Sequence, residues 1–432
     1  MALWRAFGDQ KDCLALCLAP DDLTTTKILT GKQILRLHIR IGHFGIAVEA
    51  SRMNVSSDQP MPVSSLNPLS TTSYAWRRPG ATSQATDNRK HPLTSRKMAK
   101  GANSPQRPRY WLLTSPRTAS NLLVKMLNLD DQNVRPASHG GYFFLPSLPK
   151  HFLVAEKPMD TWTEEESATV NKVIQECSER FQDYIAAAEK EGQVIYVKEH
   201  SIMLNHPRCE DSYVNGSTGS QKEAVPLPMM GITQPTRSPL NLTLFPDEFL
   251  KTWNPTFLIR HPALMIPSLY RTCFGKMEWE GFKRPRKEPM TAEVTMKWHR
   301  TLYDFFSEHF ANDSIWPIVI DADDVMTCPQ LVGKYAQLTG LDESKVRYSW
   351  DKAGEEELNK LSHVEQRMLS SINASTTIDQ SKVAGKVDID QEVVKWKAEF
   401  GEEGAQKLER WVRDAMPDYE FLHSRRLRLE QE

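Results

Sequence analysis

The amino-acid sequence predicts an α/β fold, a parallel sheet flanked by helices on both faces, behind a disordered N-terminal extension. Three observations lead there. Short apolar, β-prone runs at 110–114, 194–197, 256–259 and 317–320 alternate with longer helix-patterned stretches, and that alternation calls for parallel strands joined by crossover helices. The first run ends in a turn of small and polar residues that opens directly into a helix. Residues 50–108, in contrast, are crowded with Ser, Thr, Pro and basic side chains without a sustained period, a composition that buries too little apolar surface to order itself.

Composition narrows the partners. The 432 residues are 40% hydrophobic and 25% charged, which describes an ordinary globular protein. The net charge of -1 hides an asymmetry: residues 1–100 hold 14 Lys and Arg against 7 Asp and Glu, and the remainder 40 against 48. An acidic main region argues against nucleic acid as a bulk electrostatic partner, while arginines gathered at one site still bind a small anion. Cys13, Cys17, Cys177, Cys209, Cys273 and Cys328 are scattered. Cys13 and Cys17 lack the second ligand pair that a zinc site needs, so free thiols in a reducing compartment are expected.

No apolar stretch approaches the roughly 18 residues of a membrane span, and Leu14 to Leu18 is short and without a basic flank for a secretory signal. The acid-free, basic segment 26–48 is the one faint trace of a transit peptide. The expectation is a cytoplasmic protein without membrane or nucleic-acid partner, in which the Asn241-Leu242-Thr243 sequon is not used. Met98 would serve as an initiator just ahead of the first strand. Residues 1–105 are therefore expected to be a disordered or mispredicted extension, and 106–432 the α/β domain, with a loop insertion at about 201–253.

Each element follows from its residues. Tyr110 to Thr114 is a strand, Ser115-Pro116-Arg117-Thr118-Ala119-Ser120-Asn121 a turn, and Leu122 to Leu127 the start of a helix. A strand that stops at such a turn presents backbone N–H groups and the positive end of the helix to an anion. Arg117 adds a fork shaped for a pair of phosphate or sulfonate oxygens. Further on, Thr163 and Glu166 form a capping box. It opens a helix to about Glu189 with Val170, Val173, Ile174, Cys177, Phe181, Tyr184 and Ile185 on one face, and Gly192 ends it.

Val194 to Val197 then reads as a buried strand that delivers Lys198, Glu199 and His200 to its carboxyl end. A neutral imidazole suits abstraction of a hydroxyl proton, although a lone histidine is more often a hydrogen-bonded loop residue. In the 201–253 stretch, Met229, Met230, Leu240, Leu242 and Phe245 fit either an apolar lid or surface packing. Thr256 to Ile259 is the next strand. It ends at Arg260, and a helix near 263–275 carries Ser268. Arg260 and Ser268 make a second phosphate grip, with a structural ion pair as the other reading of Arg260 and a turn as the role of His261. A helix at about 291–310, the strand Pro317 to Ile320 and a helix at 329–339 follow. Ligands of such sheets lie at the carboxyl ends of the strands, where all three motifs can converge.

In this order the motifs resemble those of the sulfotransferase family, over about residues 109–425. The family's 5'-phosphosulfate loop is similar to Pro116-Arg117-Thr118-Ala119-Ser120-Asn121, with Arg117 where cytosolic members usually carry Lys and Ala119 where the family normally has Gly. Its strand-end Lys-X-His is similar to Lys198-Glu199-His200, and its Arg and Ser eight residues apart to Arg260 and Ser268. Ile318 to Asp324 resembles the late strand with its acidic turn, and Trp396-Lys397-Ala398-Glu399-Phe400 the family's Trp-Lys-X-X-Phe. The Arg-Lys-Gly that usually precedes this last motif is missing; Lys382 and Lys386, flanking Gly385, are its nearest substitutes.

The resemblance implies a P-loop NTPase-like sulfotransferase fold and sulfuryl transfer from 3'-phosphoadenylyl sulfate to a hydroxyl of a small molecule, without a metal. The variant motifs look most like fungal sulfotransferase-like proteins, which points to secondary-metabolite biosynthesis. His200 would take the acceptor's proton, with Lys198 and Arg117 as the other catalytic groups. Arg117, Thr118, Ala119, Ser120 and Asn121 would hold the 5'-phosphosulfate, and Arg260 and Ser268 the 3'-phosphate. Pro267 is expected to shift the helix under Ser268, and Glu199 to raise the pKa of His200. Two alternatives stand beside this reading. One is a P-loop nucleotide kinase or NTPase, although G-x-x-x-x-G-K-[ST] does not occur. The other is a sulfotransferase fold kept as a catalytically inactive binding protein.

Overall fold

The computed structural model describes residues 15–17, 25–30, 33–42, 45–54, 108–216, 224–273, 278–279, 282–283, 287–361 and 363–429. The chain divides into two units, Met1–Met98 and Ala99–Glu432. In the first, four strand backbones, Ala15–Cys17, Thr25–Thr30, Gln33–Gly42 and Gly45–Asn54, pair antiparallel in sequence order. The expectation of a disordered or mispredicted extension otherwise falls on residues outside the described set.

The second unit is built on four parallel strands, β1 (Arg109–Thr114), β2 (Ile195–His200), β3 (Trp253–Ile259) and β4 (Ile318–Asp321), in the spatial order β4-β3-β1-β2. Successive side chains of a strand point to opposite faces, and both faces here are covered. Trp111, Leu113, Ile195, Val197, Phe257, Ile259 and Val319 enter one core. Leu112, Tyr196, Leu258, Ile318 and Ile320 enter the other. That two-sided burial accounts for the unbroken apolar runs in the sequence.

Helix α1 (Ser120–Leu127) packs on the second face with α5 (Pro329–Leu338). The first face is covered by α2 (Glu164–Glu191), α3 (Pro262–Cys273), α4 (Lys297–His309) and the long α7 (Ile389–Ser424). A further helix, α6 (His363–Ala374), precedes α7.

The capping box of α2 forms as expected: Glu166 N–H donates to Thr163 Oγ1 at 3.1 Å and Thr163 N–H to Glu166 Oε2 at 2.9 Å. Gly192 closes α2 in the left-handed region at φ 68°, which glycine enters without steric cost. The α2 face locks onto the sheet through Phe181, whose ring centroid lies 5.9 Å from Trp111 and 5.6 Å from Trp253.

Two elements depart from expectation. The helix expected at about 291–310 is split into a short turn, Thr291–Glu293, and α4 from Lys297. In the 201–253 stretch, Met229, Leu242, Leu244 and Phe245 are buried in the first core and a helix spans Pro207–Asn215. Its apolar residues hold the domain together, and Met230 is exposed.

Candidate functional site

The three motifs meet at the carboxyl edge of the sheet. Register forces this: Thr114 of β1 pairs with His200 of β2 and with Leu258 of β3, so the ends of all three strands lie side by side. A cavity of about 750 Å³ opens there. Its walls include Arg117, Ala119, Ser120, Asn121, Lys198, His200, Arg260 and Ser268. Thr118 does not line it; this side chain is fully buried and its hydroxyl donates to Ser115 O at 2.8 Å, bracing the loop from inside.

The loop between β1 and α1 owes its shape to two non-glycine residues in the left-handed region, Arg117 at φ 70° and Ala119 at φ 62°. Such conformations cost of order 1–3 kcal/mol each and persist where surrounding structure enforces them. Ala119 is the N-cap of α1, and its carbonyl receives the amides of Leu122 and Leu123 at 3.0 and 3.2 Å. Among the described residues, the amides of 118–121 donate to no protein group. Amides in that condition at a helix N-terminus bind anions. A methyl group where glycine is usual does not close the loop; it leaves the loop strained.

Cations crowd the same cavity. Arg117 donates from Nε to Ser268 Oγ at 3.0 Å and from NH1 to Met368 O at 3.1 Å. Arg260 donates from NH1 to Arg117 O at 3.1 Å and from NH2 to Lys382 O at 2.8 Å, and its buried Nε has no partner. Burial lowers the pKa of both guanidiniums; Arg367 lowers Arg117 further, and Arg117 does the same to Arg260. Asp323 and Asp321 act the other way on Arg260, and an anion relieves the repulsion between the like charges. Pro267 lies inside α3, which begins at Pro262, and Ser268 keeps its hydroxyl on the cavity wall. The expected shift of the helix start does not occur, because the helix is already under way when the proline arrives.

Lys382 lies beside Arg260, which the sequence separation had obscured. Its loop is tied down by Asp323, whose Oδ1 accepts Ala384 N–H at 2.9 Å and whose Oδ2 accepts Gly385 N–H at 3.0 Å. Asp321, the first acid of the same turn, caps the following helix through Asp323 N–H at 2.8 Å and accepts the Tyr419 hydroxyl at 3.0 Å. Burial pushes its pKa up to about 6. The acidic turn thus positions the loop.

Around His200 the hydrogen bonds favour one tautomer. Thr114 Oγ1 donates to Glu199 O at 3.1 Å and lies 2.6 Å from His200 Nδ1. With the hydroxyl proton committed to the carbonyl, Nδ1 carries the imidazole proton and donates it to Oγ1. Nε2 is then the open lone pair, and the Tyr142 hydroxyl, 3.3 Å away, donates to it. Lys198 Nζ donates to Asn121 Oδ1 at 2.6 Å and stands 4.3 Å over the Tyr142 ring.

Burial lowers the pKa of His200 to about 3, with the charges of Lys198, His299 and Arg117 acting the same way. The expectation that Glu199 would raise it is overturned. Glu199 points to the other face of β2, where its Oε1 accepts the amides of Phe143 and Phe144; burial raises its own pKa to about 8. The period of two along a strand puts Lys198 and His200 on one side and Glu199 on the other. Burial also lowers Lys198 to about 7.

Tyr142, Leu145, Leu148, Pro149 and Phe152 supply an apolar wall next to His200, and Met203 is the contribution of the 201–253 stretch. Tyr142 and Thr114 were not singled out from sequence. The β2 register opposite β1 would have pointed to Thr114; Tyr142 arrives from a loop that has no period to read. Among the described residues no group of three or more His, Cys, Asp or Glu could hold a metal ion, and no helix is long and apolar enough to cross a membrane.

The chain is 38% identical over 348 residues to "Sulfotransferase ppzF" of Metarhizium majus, covering 76% of this chain and 99% of that one. It is 38% identical over 340 residues to the protein of the same name from Metarhizium rileyi, covering 75% and 97%. Among solved structures, the sulfotransferase domain of the Synechococcus PCC 7002 olefin synthase aligns with 73% of this chain and 98% of its own, at 12% identity and a TM-score of 0.33. No family model matches the chain.

Proposed function

The chain belongs to the sulfotransferase family, and from that premise we propose that it moves a sulfuryl group from 3'-phosphoadenylyl sulfate to a hydroxyl of a small molecule in secondary metabolism. The observation that carries the reading is the single cavity lined by Arg117, Ser120, Asn121, Lys198, His200, Arg260 and Ser268. Its volume of about 750 Å³ falls within the usual range for small-ligand sites.

The free amides at 118–121, with Ser120 and Arg117, hold the 5'-phosphosulfate. Arg260 presents its unpartnered Nε to the 3'-phosphate, helped by Ser268 and Lys382. Sulfuryl transfer resembles phosphoryl transfer in asking for position and charge stabilisation more than covalent work. Arg117 and Lys198 neutralise the charge that grows on the leaving phosphate side. His200 accepts the acceptor's proton at Nε2, in the tautomer that Thr114 maintains. The apolar wall from Tyr142 to Phe152 fits the carbon skeleton of the acceptor. A cytoplasmic setting agrees with the free thiols of Cys177, Cys209 and Cys328.

The test is thermal unfolding with adenosine 3',5'-bisphosphate and with ATP plus magnesium. At 100 times its dissociation constant a specific ligand adds about 2.7 kcal/mol of stability. Stabilisation by the bisphosphate alone is expected. Stabilisation by ATP with magnesium alone would turn the reading toward an NTPase. His200→Asn is expected to keep bisphosphate binding and lose turnover by a factor on the order of 10²–10⁴; an unmodified chain that binds without turnover is the inactive binding protein.

A further inference from the structure

We propose that Tyr142 is itself a sulfuryl acceptor, so that without a small-molecule alcohol the chain sulfates its own phenol; the inference rests on the function proposed above. Four observations place this hydroxyl where an acceptor must stand. It lies 3.3 Å from Nε2 of His200, the lone pair left open by Thr114. The Ser120 hydroxyl, on the first residue of α1, hydrogen-bonds it from the phosphosulfate side. The ring lies under Lys198 Nζ at 4.3 Å and beside the imidazole at 4.7 Å between centroids. The backbone is shaped to deliver it: Gly140 and Gly141 precede it at φ 64° and 103°, and a Cβ on Gly141 would meet Lys198 Cβ at 3.2 Å and its backbone nitrogen at 3.3 Å. Only glycine lets this loop run so close to β2.

In the step, the phenolic oxygen forms a bond to sulfur as the bond from sulfur to the 5'-phosphate oxygen breaks. The phenolic proton passes to His200 Nε2, and adenosine 3',5'-bisphosphate departs with the bridging oxygen. Burial holds the Tyr142 phenol well above its ordinary pKa, so the proton stays on oxygen until His200 receives it. The loose transition state of such transfers asks little nucleophilicity of the acceptor. The tyrosine sulfate leaves an anion facing Lys198 and fills the acceptor's place, so the modification is self-limiting.

The experiment incubates the full chain with 3'-phosphoadenylyl sulfate and no added alcohol, followed by mass spectrometry of the intact chain and its peptides. The expected result is a gain of one SO3 group on the peptide carrying Tyr142, absent in Tyr142→Phe and slowed about 100-fold in His200→Asn. A chain without SO3 on Tyr142, or with it on another side chain, overturns the proposal. Thermal unfolding of the same preparation with adenosine 3',5'-bisphosphate separates the two readings. A chain stabilised by the nucleotide but unmodified loses this inference alone, and one neither stabilised nor modified loses both.

Discussion

The Thr114 hydroxyl lies 2.6 Å from Nδ1 of His200 and favours the tautomer with its proton there. Thr114 is fully buried, and valine has nearly its shape without the hydroxyl. In Thr114→Val the Nδ1 proton loses the hydroxyl beside it, so the tautomer preference weakens and turnover should fall about 10- to 100-fold. Thr114→Ser should recover it, and affinity for adenosine 3',5'-bisphosphate should be unchanged in both; a parallel loss of affinity would mean that the threonine only supports the fold. Lys198 provides the second residue-level test. Free, it titrates at about 7 because burial disfavours its charge, and a bound polyanion raises that value. Binding therefore favours the protonated form: affinity is full below about pH 7 and is lost as pH rises, up to tenfold per unit. Phosphate ionises near 6, outside this window. Titration calorimetry in buffers of different ionisation enthalpy should find proton uptake at pH 8 that vanishes in Lys198→Met.

Among the elements, the loop that opens α1 carries the strain. Ala119 at φ 62° occupies a conformation that glycine adopts freely. Ala119→Gly should raise stability by about 1 kcal/mol in denaturant titration without weakening nucleotide binding; an unchanged or lower midpoint would remove strain from the account. The loop 382–386 is the other element of the candidate site, and it hangs on Asp323. Asp323→Ala frees two amides and releases the segment that lies against Arg260. Affinity for adenosine 3',5'-bisphosphate should drop about tenfold, roughly the 1.4 kcal/mol of one good charged hydrogen bond. Affinity for adenosine 5'-phosphosulfate should hold. Equal losses for both ligands would show that the loop does not serve the 3'-phosphate.

At the level of the whole molecule, the cavity joins segments that are far apart in the chain. β1 and α1 bring 116–121, β3 and α3 bring 260–268, and the loop before α7 brings 382. Adenosine 3',5'-bisphosphate should therefore slow amide hydrogen exchange in all three segments together; protection confined to 116–121 would break the proposed placement of the 3'-phosphate.

Much of this is legible in the sequence. The strands, the capping box of α2 and the turn after Tyr110 to Thr114 follow from local chemistry, since period, caps and small residues act within a few positions of themselves. From that, the parallel sheet and the meeting of Arg117, His200 and Arg260 at its carboxyl edge were determined by sequence. What depended on pairing and packing was not. The direction in which Glu199 points comes from the register of β2. The place of Lys382 comes from Asp323, 59 positions earlier in the chain. The burial of Met229, Leu242 and Phe245 and the arrival of Tyr142 over Lys198 come from loops whose course only tertiary contacts fix. Side chains that meet across long stretches of chain leave no local pattern, and the energies that select their partners exist only once the sheet has formed.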